Sequence, residues 1–172
     1  MSRGHNAGSR RRANNHNRWG CEMSKRWKVY LAGEVHSDWR QQITQGAQEA
    51  ELDVLFFAPV MDHGASDGCG VDILGPEEDS FWTDHKGGKI NAIRTRTLIR
   101  DSDVVVVKFG EEYRQWNAAF DAGFAFALNK PLIVLHPPEL RHPLKEVDAA
   151  ALAVASEPAQ VVEILNYALT AV

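Results

Sequence analysis

Little in this sequence could cross-link the chain or fix it in a bilayer. It has only two cysteines, Cys21 and Cys69. They lie far apart without the short spacing of a zinc site, which fits a reducing compartment better than a disulfide scaffold. No apolar run reaches the roughly 18 residues that a membrane span needs. The N-terminal segment lacks the apolar stretch of a secretory signal, so a cytoplasmic location is expected. Acidic residues are scarce at the start: Glu22 alone faces seven basic residues over 1–26. That segment carries +6 and leaves −10 on the remainder, in a chain whose formal net charge is −4. A domain this acidic is a poor platform for a phosphate backbone. Neither a specific nucleic-acid partner nor a membrane partner is expected.

Gly, Asn, Ser, His and Arg dominate residues 1–26 and offer almost nothing to bury, so they read as a disordered basic extension. Met23 is an alternative start, since Ser-Lys-Arg then leads directly into the first strand. From residue 27 to 172, strand-like and helix-like segments alternate. Lys28–Gly33 reads as a strand. A helix capped by Ser37 or Asp38 runs to about Leu52, with Trp39, Ile43 and Ala47 facing the core. Asp53–Ala58 reads as a second strand, and 60–80 as a long Gly- and Asp-rich loop. A helix over 89–100 precedes Val104–Phe109, an apolar run typical of a strand covered on both faces. Helix 115–128, strand 131–135, a short strand at 152–155 and a helix from Pro158 to about Leu169 complete the pattern.

This alternation predicts a flavodoxin-like, doubly wound α/β domain over 27–172, with a five-stranded parallel sheet in the order 2-1-3-4-5. Ligands bind such sheets beyond the strand ends, at the switch point between strands one and three. The loops there are Gly33–Ser37 and Gly110–Arg114. Gly33, Glu34, His36 and Gly110 are therefore candidate ligand-binding residues. Within the run Trp116–Leu128, Asp121 is the sole charge. A helix so apolar on every side is expected to be buried, so an ionised Asp121 must face a polar cleft or be hydrogen-bonded. Asn117 stands one turn earlier on the same face. A lone carboxylate in an apolar wall beside a switch-point loop is an active-site candidate; the plainer alternative is an aspartate that anchors a loop amide.

Three segments together carry a resemblance: Val29-Tyr30-Leu31-Ala32-Gly33, Ser102-Asp103-Val104-Val105-Val106-Val107, and Asp121-Ala122-Gly123-Phe124-Ala125-Phe126-Ala127-Leu128-Asn129-Lys130-Pro131. They resemble the nucleoside 2-deoxyribosyltransferase superfamily over about residues 27–170. The stretch Trp116–Gly123 is most similar to its YtoQ group. The resemblance implies homo-oligomers, a nucleoside or nucleotide ligand, and cleavage or transfer at the sugar–base bond. No metal or redox cofactor is implied. Asp121 matches the carboxylate that attacks the anomeric carbon, and Tyr30 matches the first-strand tyrosine that orients it. A carboxylate suits this chemistry because it can form a glycosyl ester and then be displaced.

The sequence departs from the superfamily pattern at three positions. Asp121 is one methylene shorter than the usual Glu, which withdraws its oxygens by about 1.5 Å. Thr95 and Gln115 stand where acids are usual. Asn91, one turn before Thr95, is a candidate substitute for the first of these, and Gln115 a candidate substrate contact. The rival expectation is a non-catalytic module that binds a nucleotide-like ligand in the same cleft. Weaker signals have ordinary explanations. Asp62-His63 and Asp84-His85 lack ligand spacing and read as solvated loop pairs. Arg94, Arg96 and Arg100 read as a solvated helix face, and Asp103 as a cap at the start of a strand. Trp116, Phe120 and Phe124 read as core first and as base-stacking residues second.

Overall fold

A computed structural model describes residues 1, 26–110 and 115–170. The predicted basic extension and the segment 111–114 of the loop after the third strand fall outside the described residues, apart from Met1 and Arg26. The elements follow in the order β1 Trp27–Gly33, α1 Trp39–Glu49, β2 Val54–Phe57, α2 His63–Leu74, α3 Ser80–Asp101, β3 Val104–Lys108, α4 Trp116–Ala127, β4 Leu132–Leu135, α5 Lys145–Ala150, β5 Ala153–Ala155 and α6 Pro158–Leu169. A short 3-10 turn at Pro138–Leu140 leads into α5. The sheet order is β2-β1-β3-β4-β5, and every pairing is parallel. This is the expected α/β architecture.

Strand alternation divides the core into two layers. Val29, Leu31, Val104, Val106, Ile133 and Leu135 face α1 and α6, where Trp39, Ile43, Val161 and Leu165 meet them. Tyr30, Ala32, Val105, Val107, Leu132 and Val134 face the other way, against Ile99 of α3 and Ala118, Ala122 and Ala125 of α4. Trp39, Ile43 and Ala47 are the buried residues of α1, as its periodicity predicts. At the far end of the sheet Asp103 accepts the Lys28 N–H at 3.0 Å, which ties the starts of β1 and β3 together.

The segment 60–80 is not a long loop. It holds α2, whose first turn is capped by Asp62 accepting from the Ala65 N–H at 2.6 Å. Its glycines look like loop formers but serve close helix packing. A Cβ on Gly70 would sit 2.5 Å from the Gly87 nitrogen, and one on Gly87 would sit 2.9 Å from the Asp67 carbonyl oxygen. The pairing also lengthens α3, which starts at Ser80 rather than near residue 89, with Asp79 accepting from Phe81 N–H. The Asp-His pairs are therefore not in loops. Asp62 is a helix cap and Asp84-His85 lies within α3, where the His85 ring packs against Phe81 and Trp82.

Helix α4 is not buried all round either. Only its alanine face meets the sheet, while Trp116 is 73% exposed, Phe120 60% and Phe126 57%. Of the aromatics expected in the core, only Phe124 packs against it. The small alanines let the helix lie close to β1 and β3, and that closeness leaves its bulky residues nowhere to go but outward.

Candidate functional site

The loop after β1 is held by its own side chains. Gly33 ends the strand at φ +98°, a conformation that favours glycine. The next N–H, of Glu34, donates to the Lys108 carbonyl at 3.0 Å. Glu34 is a buried acid. Its carboxylate accepts from the His36 N–H, the Ser37 N–H and the Ser37 hydroxyl. Lys108 Nζ lies 3.4 Å from it and donates to Ser37 Oγ at 2.8 Å. Burial raises the Glu34 pKa, but the bonds from Ser37 and His36 and the charge of Lys108 outweigh it, so the group sits below the usual carboxylate range.

The carbonyls on the same turn are held from α1. Arg40 spans the Leu31, Gly33 and Glu34 carbonyls at 3.0, 2.9 and 2.5 Å. Trp39 Nε1–H donates to the Glu34 carbonyl at 2.8 Å. Desolvation pulls the Arg40 pKa down to about 10, with Glu34 and Tyr30 opposing.

A cleft of about 450 Å³ opens beyond the ends of β1, β3 and β4. Its lining includes Glu34, His36, Lys108, Gly110, His136 and Glu157. Its size is in the range of small-ligand sites. His136 follows directly on β4 and is buried. Its Nε2 lies 3.0 and 3.1 Å from the two Asp148 oxygens, and its Nδ1 lies 2.8 Å from the Pro137 carbonyl oxygen. Both ring nitrogens are thus committed to the protein.

Asp121 and Tyr30 do not line that cleft. They stand on the other face of the sheet, in the α3–α4 layer. Asp121 is partly buried and accepts no hydrogen bond among the described residues. Desolvation raises its pKa to about 6. The Tyr30 ring is fully buried, and its hydroxyl has no hydrogen-bond partner among the described residues. Its pKa is pushed up to about 12, first by burial and further by the Asp121 charge, while the nearby Thr95 hydroxyl pulls the other way. The Tyr30 hydroxyl is thus a buried polar group near Thr95 and within the field of the Asp121 charge.

The structure brings some of the predicted residues together and separates others. Glu34, His36 and Gly110 line the cleft, and Gly33 forms its edge at the end of β1. Gln115 accepts the Gly110 N–H at 3.0 Å and is the cap residue of α4, so it joins the cleft rim to the helix that carries Asp121. Asn117 is exposed. Asn91 does not stand in for the acid missing at Thr95: its amide donates to the Ser66 carbonyl at 2.9 Å and to Ser66 Oγ at 3.1 Å, tethering α2 to α3. Sequence reasoning missed Ser37, Arg40, Lys108, His136 and Asp148. Lys108 and His136 carried a usable signal, since each closes an apolar strand at the end where ligands bind. Arg40 carried none. Among the described residues, no group of three or more His, Cys, Asp or Glu is placed to hold a metal ion, and no helix is long and apolar enough to cross a membrane.

Residues 30–169 match the family described as nucleoside 2-deoxyribosyltransferase YtoQ. The chain belongs to this family. The uncharacterised protein YtoQ of Bacillus subtilis strain 168 is 40% identical over 139 residues, covering 81% of this chain and 94% of that protein. Among solved structures, a conserved protein from Enterococcus faecalis V583 superposes with a TM-score of 0.55 at 14% identity, over 81% of this chain and 96% of that one, and shares the fold. A 2-deoxyribosyltransferase from Bacillus psychrosaccharolyticus overlaps more loosely, with a TM-score of 0.48 at 16% identity over 78% of this chain and 90% of that one. The stretch matched by the YtoQ family contains Tyr30, the Glu34 loop, Lys108, Asp121 and His136.

Proposed function

We propose that this protein cleaves the N-glycosidic bond of a nucleoside or nucleotide, by hydrolysis or by transfer of the sugar, with Asp121 as nucleophile. The observation that carries the proposal is a partly buried carboxylate whose charge acts on the Tyr30 hydroxyl, a buried group without a hydrogen-bond partner among the described residues. A structural aspartate would have its bonds made. The family to which the chain belongs supports a nucleoside-related role.

In the proposed reaction an Asp121 oxygen bonds to the anomeric carbon as the C–N bond breaks. The base leaves with that electron pair and takes a proton from water. Water or a second base then displaces the ester and returns the free carboxylate. With a pKa of about 6, Asp121 is mostly ionised at neutral pH and still more basic than an ordinary aspartate. Tyr30 orients the attacking oxygen once the sugar excludes water. Incubation with pooled nucleosides and nucleotides, followed by mass spectrometry of the small molecules, tests the proposal. Free or exchanged base is the expected result. Binding without any base release would favour a ligand-binding module on the same fold.

Tyr30→Phe separates catalysis from packing. Removing a buried hydroxyl without a partner is expected to leave stability unchanged or raise it by about 1–2 kcal/mol, while turnover falls about 10- to 100-fold. Thermal melts and initial rates on the same preparation check both halves; unchanged turnover would remove Tyr30 from the site.

Self-association is part of the same proposal. Trp116 and Phe120 form an exposed aromatic pair one helical turn apart, adjoining the stripe that carries Asn117 and Asp121. A neighbouring copy of the chain resting on that face would exclude water from the carboxylate. Light scattering is expected to give a multiple of 19.2 kDa, and Phe120→Lys to shift the population toward monomer. A wild type that is monomeric at micromolar concentration would contradict this.

A further inference from the structure

The hairpin of α2 and α3 gives almost nothing to the core. No described residue of α2, and none of α3 before Leu98, belongs to either of the two layers that sandwich the sheet. Its large apolar side chains stand outside instead: Ile73, Leu74, Phe81, Trp82 and Ile93 are 54–70% exposed. Two helices joined by a glycine contact and a few hydrogen bonds, with their apolar groups in water, gain stability from a further surface that covers them. On α3 the exposed groups form one stripe. Gly87 faces α2, and at 3.6 residues per turn Trp82, Lys89, Ile93 and Arg96 lie on the opposite side of the helix, all of them exposed. Helix α4, which carries the exposed Trp116 and Phe120, packs beside α3.

Charge along the hairpin is divided by sign. From Asp62 to His85 there are seven carboxylates and no lysine or arginine; from Lys86 to Arg100 there are five lysines and arginines and no carboxylate. The helix dipole accounts for acid in a first turn and base in a last one, but not for Trp82 and Ile93 left exposed between them. Turned end for end by a two-fold axis, the stripe complements itself. Trp82 and Ile93 lie equally far from the Gly87–Gly88 step, and so do Asp79 and Arg96. In an antiparallel pair centred on that step, Trp82 of each copy meets Ile93 of the other, and the Glu77-Glu78-Asp79 turn of each meets Arg96 and Arg100 of the other. Lys89 is the one charge of the stripe between the two apolar contacts, and its length lets the ammonium leave the seam toward Asp84 of the second copy. The same helices laid parallel would set acid on acid and base on base.

We infer that the exposed stripe of α3 is an interface between two copies of this chain, in which the two α3 helices cross antiparallel about a two-fold axis. The inference rests on the self-association proposed above. It extends the aromatic face of α4 onto the neighbouring helix and fixes the orientation of the two copies. Glu78 and Arg96 are the charges that set this orientation. Both are exposed, and neither is in an ion pair among the described residues. Symmetry repeats each contact, so reversing the charge at either position is expected to weaken the dimer about 10- to 100-fold.

Sedimentation velocity over a dilution series compares the full chain, Glu78→Arg, Arg96→Glu and an equal mixture of the two variants. The readout is mass and needs no turnover, so it is independent of the glycosidic reading. Both positions are on the surface, and melts within about 2 °C of the wild type are expected to show that each variant folds. The wild type is expected to form dimers. Each variant alone sets like charges against each other at both ends of the seam, so its dimer Kd is expected to rise about 10-fold or more. In the mixture one chain is positive at both positions and the other negative, so the dimer Kd is expected to return to within about threefold of the wild type. Variants that dimerise as tightly as the wild type would overturn the pairing of α3 and leave the α4 contact standing. Weakened variants whose mixture stays weak would overturn the antiparallel orientation. A monomeric wild type would overturn both this interface and the self-association on which it rests.

Discussion

Asp121→Asn is expected to melt above the wild type near neutral pH and to release no base from any nucleoside that the wild type cleaves. The two effects share a cause. The folded chain holds Asp121 in a desolvated place without hydrogen bonds among the described residues, so its pKa rises from 3.8 to about 6. Between those values the native state binds more protons than the unfolded one, and stability therefore falls as pH rises through that window. Above it the full penalty is present, about 1–3 kcal/mol. Asn has nearly the same shape and no charge to desolvate. Its gain should be about 3–10 °C at neutral pH and should shrink through the window and vanish below about pH 3, where Asp121 is protonated in both states. Catalysis goes the opposite way, because an amide cannot form the displaceable ester. For the wild type the acidic limb of the rate profile should fall with an apparent pKa of about 6. Melts and rates across this pH range check all of it; an Asn variant that melts lower at neutral pH would show that the carboxylate is held by bonds after all.

Gly33→Ala should do the most structural damage of an alanine substitution at any described glycine. Its Cβ would lie 2.0 Å from the Lys108 carbonyl oxygen and 2.9 Å from the Lys108 carbonyl carbon and nitrogen. The contact is with backbone in the centre of the sheet, between β1 and β4, so neither side can retreat. The φ of +98° adds strain for any L side chain. A loss above about 4 kcal/mol is expected, and with it a fall of about 10 °C or more in Tm. Gly88→Ala is the control, since nothing lies within 4 Å of its Cβ, and a helical Ala there should be neutral or slightly stabilising. If Gly33→Ala melted within about 2 °C of wild type, the close seam between the Glu34 loop and β3 would be wrong.

The sheet order was legible because the chain repeats one rule: a short apolar run, a polar break and an amphipathic helix. Val104–Val107 and Leu132–Leu135 could only be strands covered on both faces. Where the reading failed, tertiary contact reversed a local signal. Gly64, Gly68 and Gly70 in sequence mark a loop, yet Gly70 and Gly87 let α2 and α3 pack backbone to backbone. The apolar run Trp116–Leu128 suggested burial on all sides, but Ala118, Ala122 and Ala125 fill the narrow space against the sheet, with Phe124 packed at its side, and leave Trp116, Phe120 and Phe126 outside. At the candidate site, Glu34 and His36 followed from their place at the switch point. That the Glu34 carboxylate would turn back onto its own loop did not, because the bonds of Arg40 and Lys108 that fix the turn come from elsewhere in the chain. Nor did sequence reveal that Asp121 and Tyr30 stand on the opposite side of the sheet from the cleft.

The proposed covalent step leaves a mark on the protein itself. The wild type is mixed with a substrate nucleoside, quenched in acid within the first turnovers, and weighed intact before peptide mapping. The account predicts a fraction of protein heavier by one sugar residue, with the added mass on the peptide that contains Asp121 and absent from Asp121→Asn. Base release with no adduct in the wild type, and undiminished in Asp121→Asn, would contradict it.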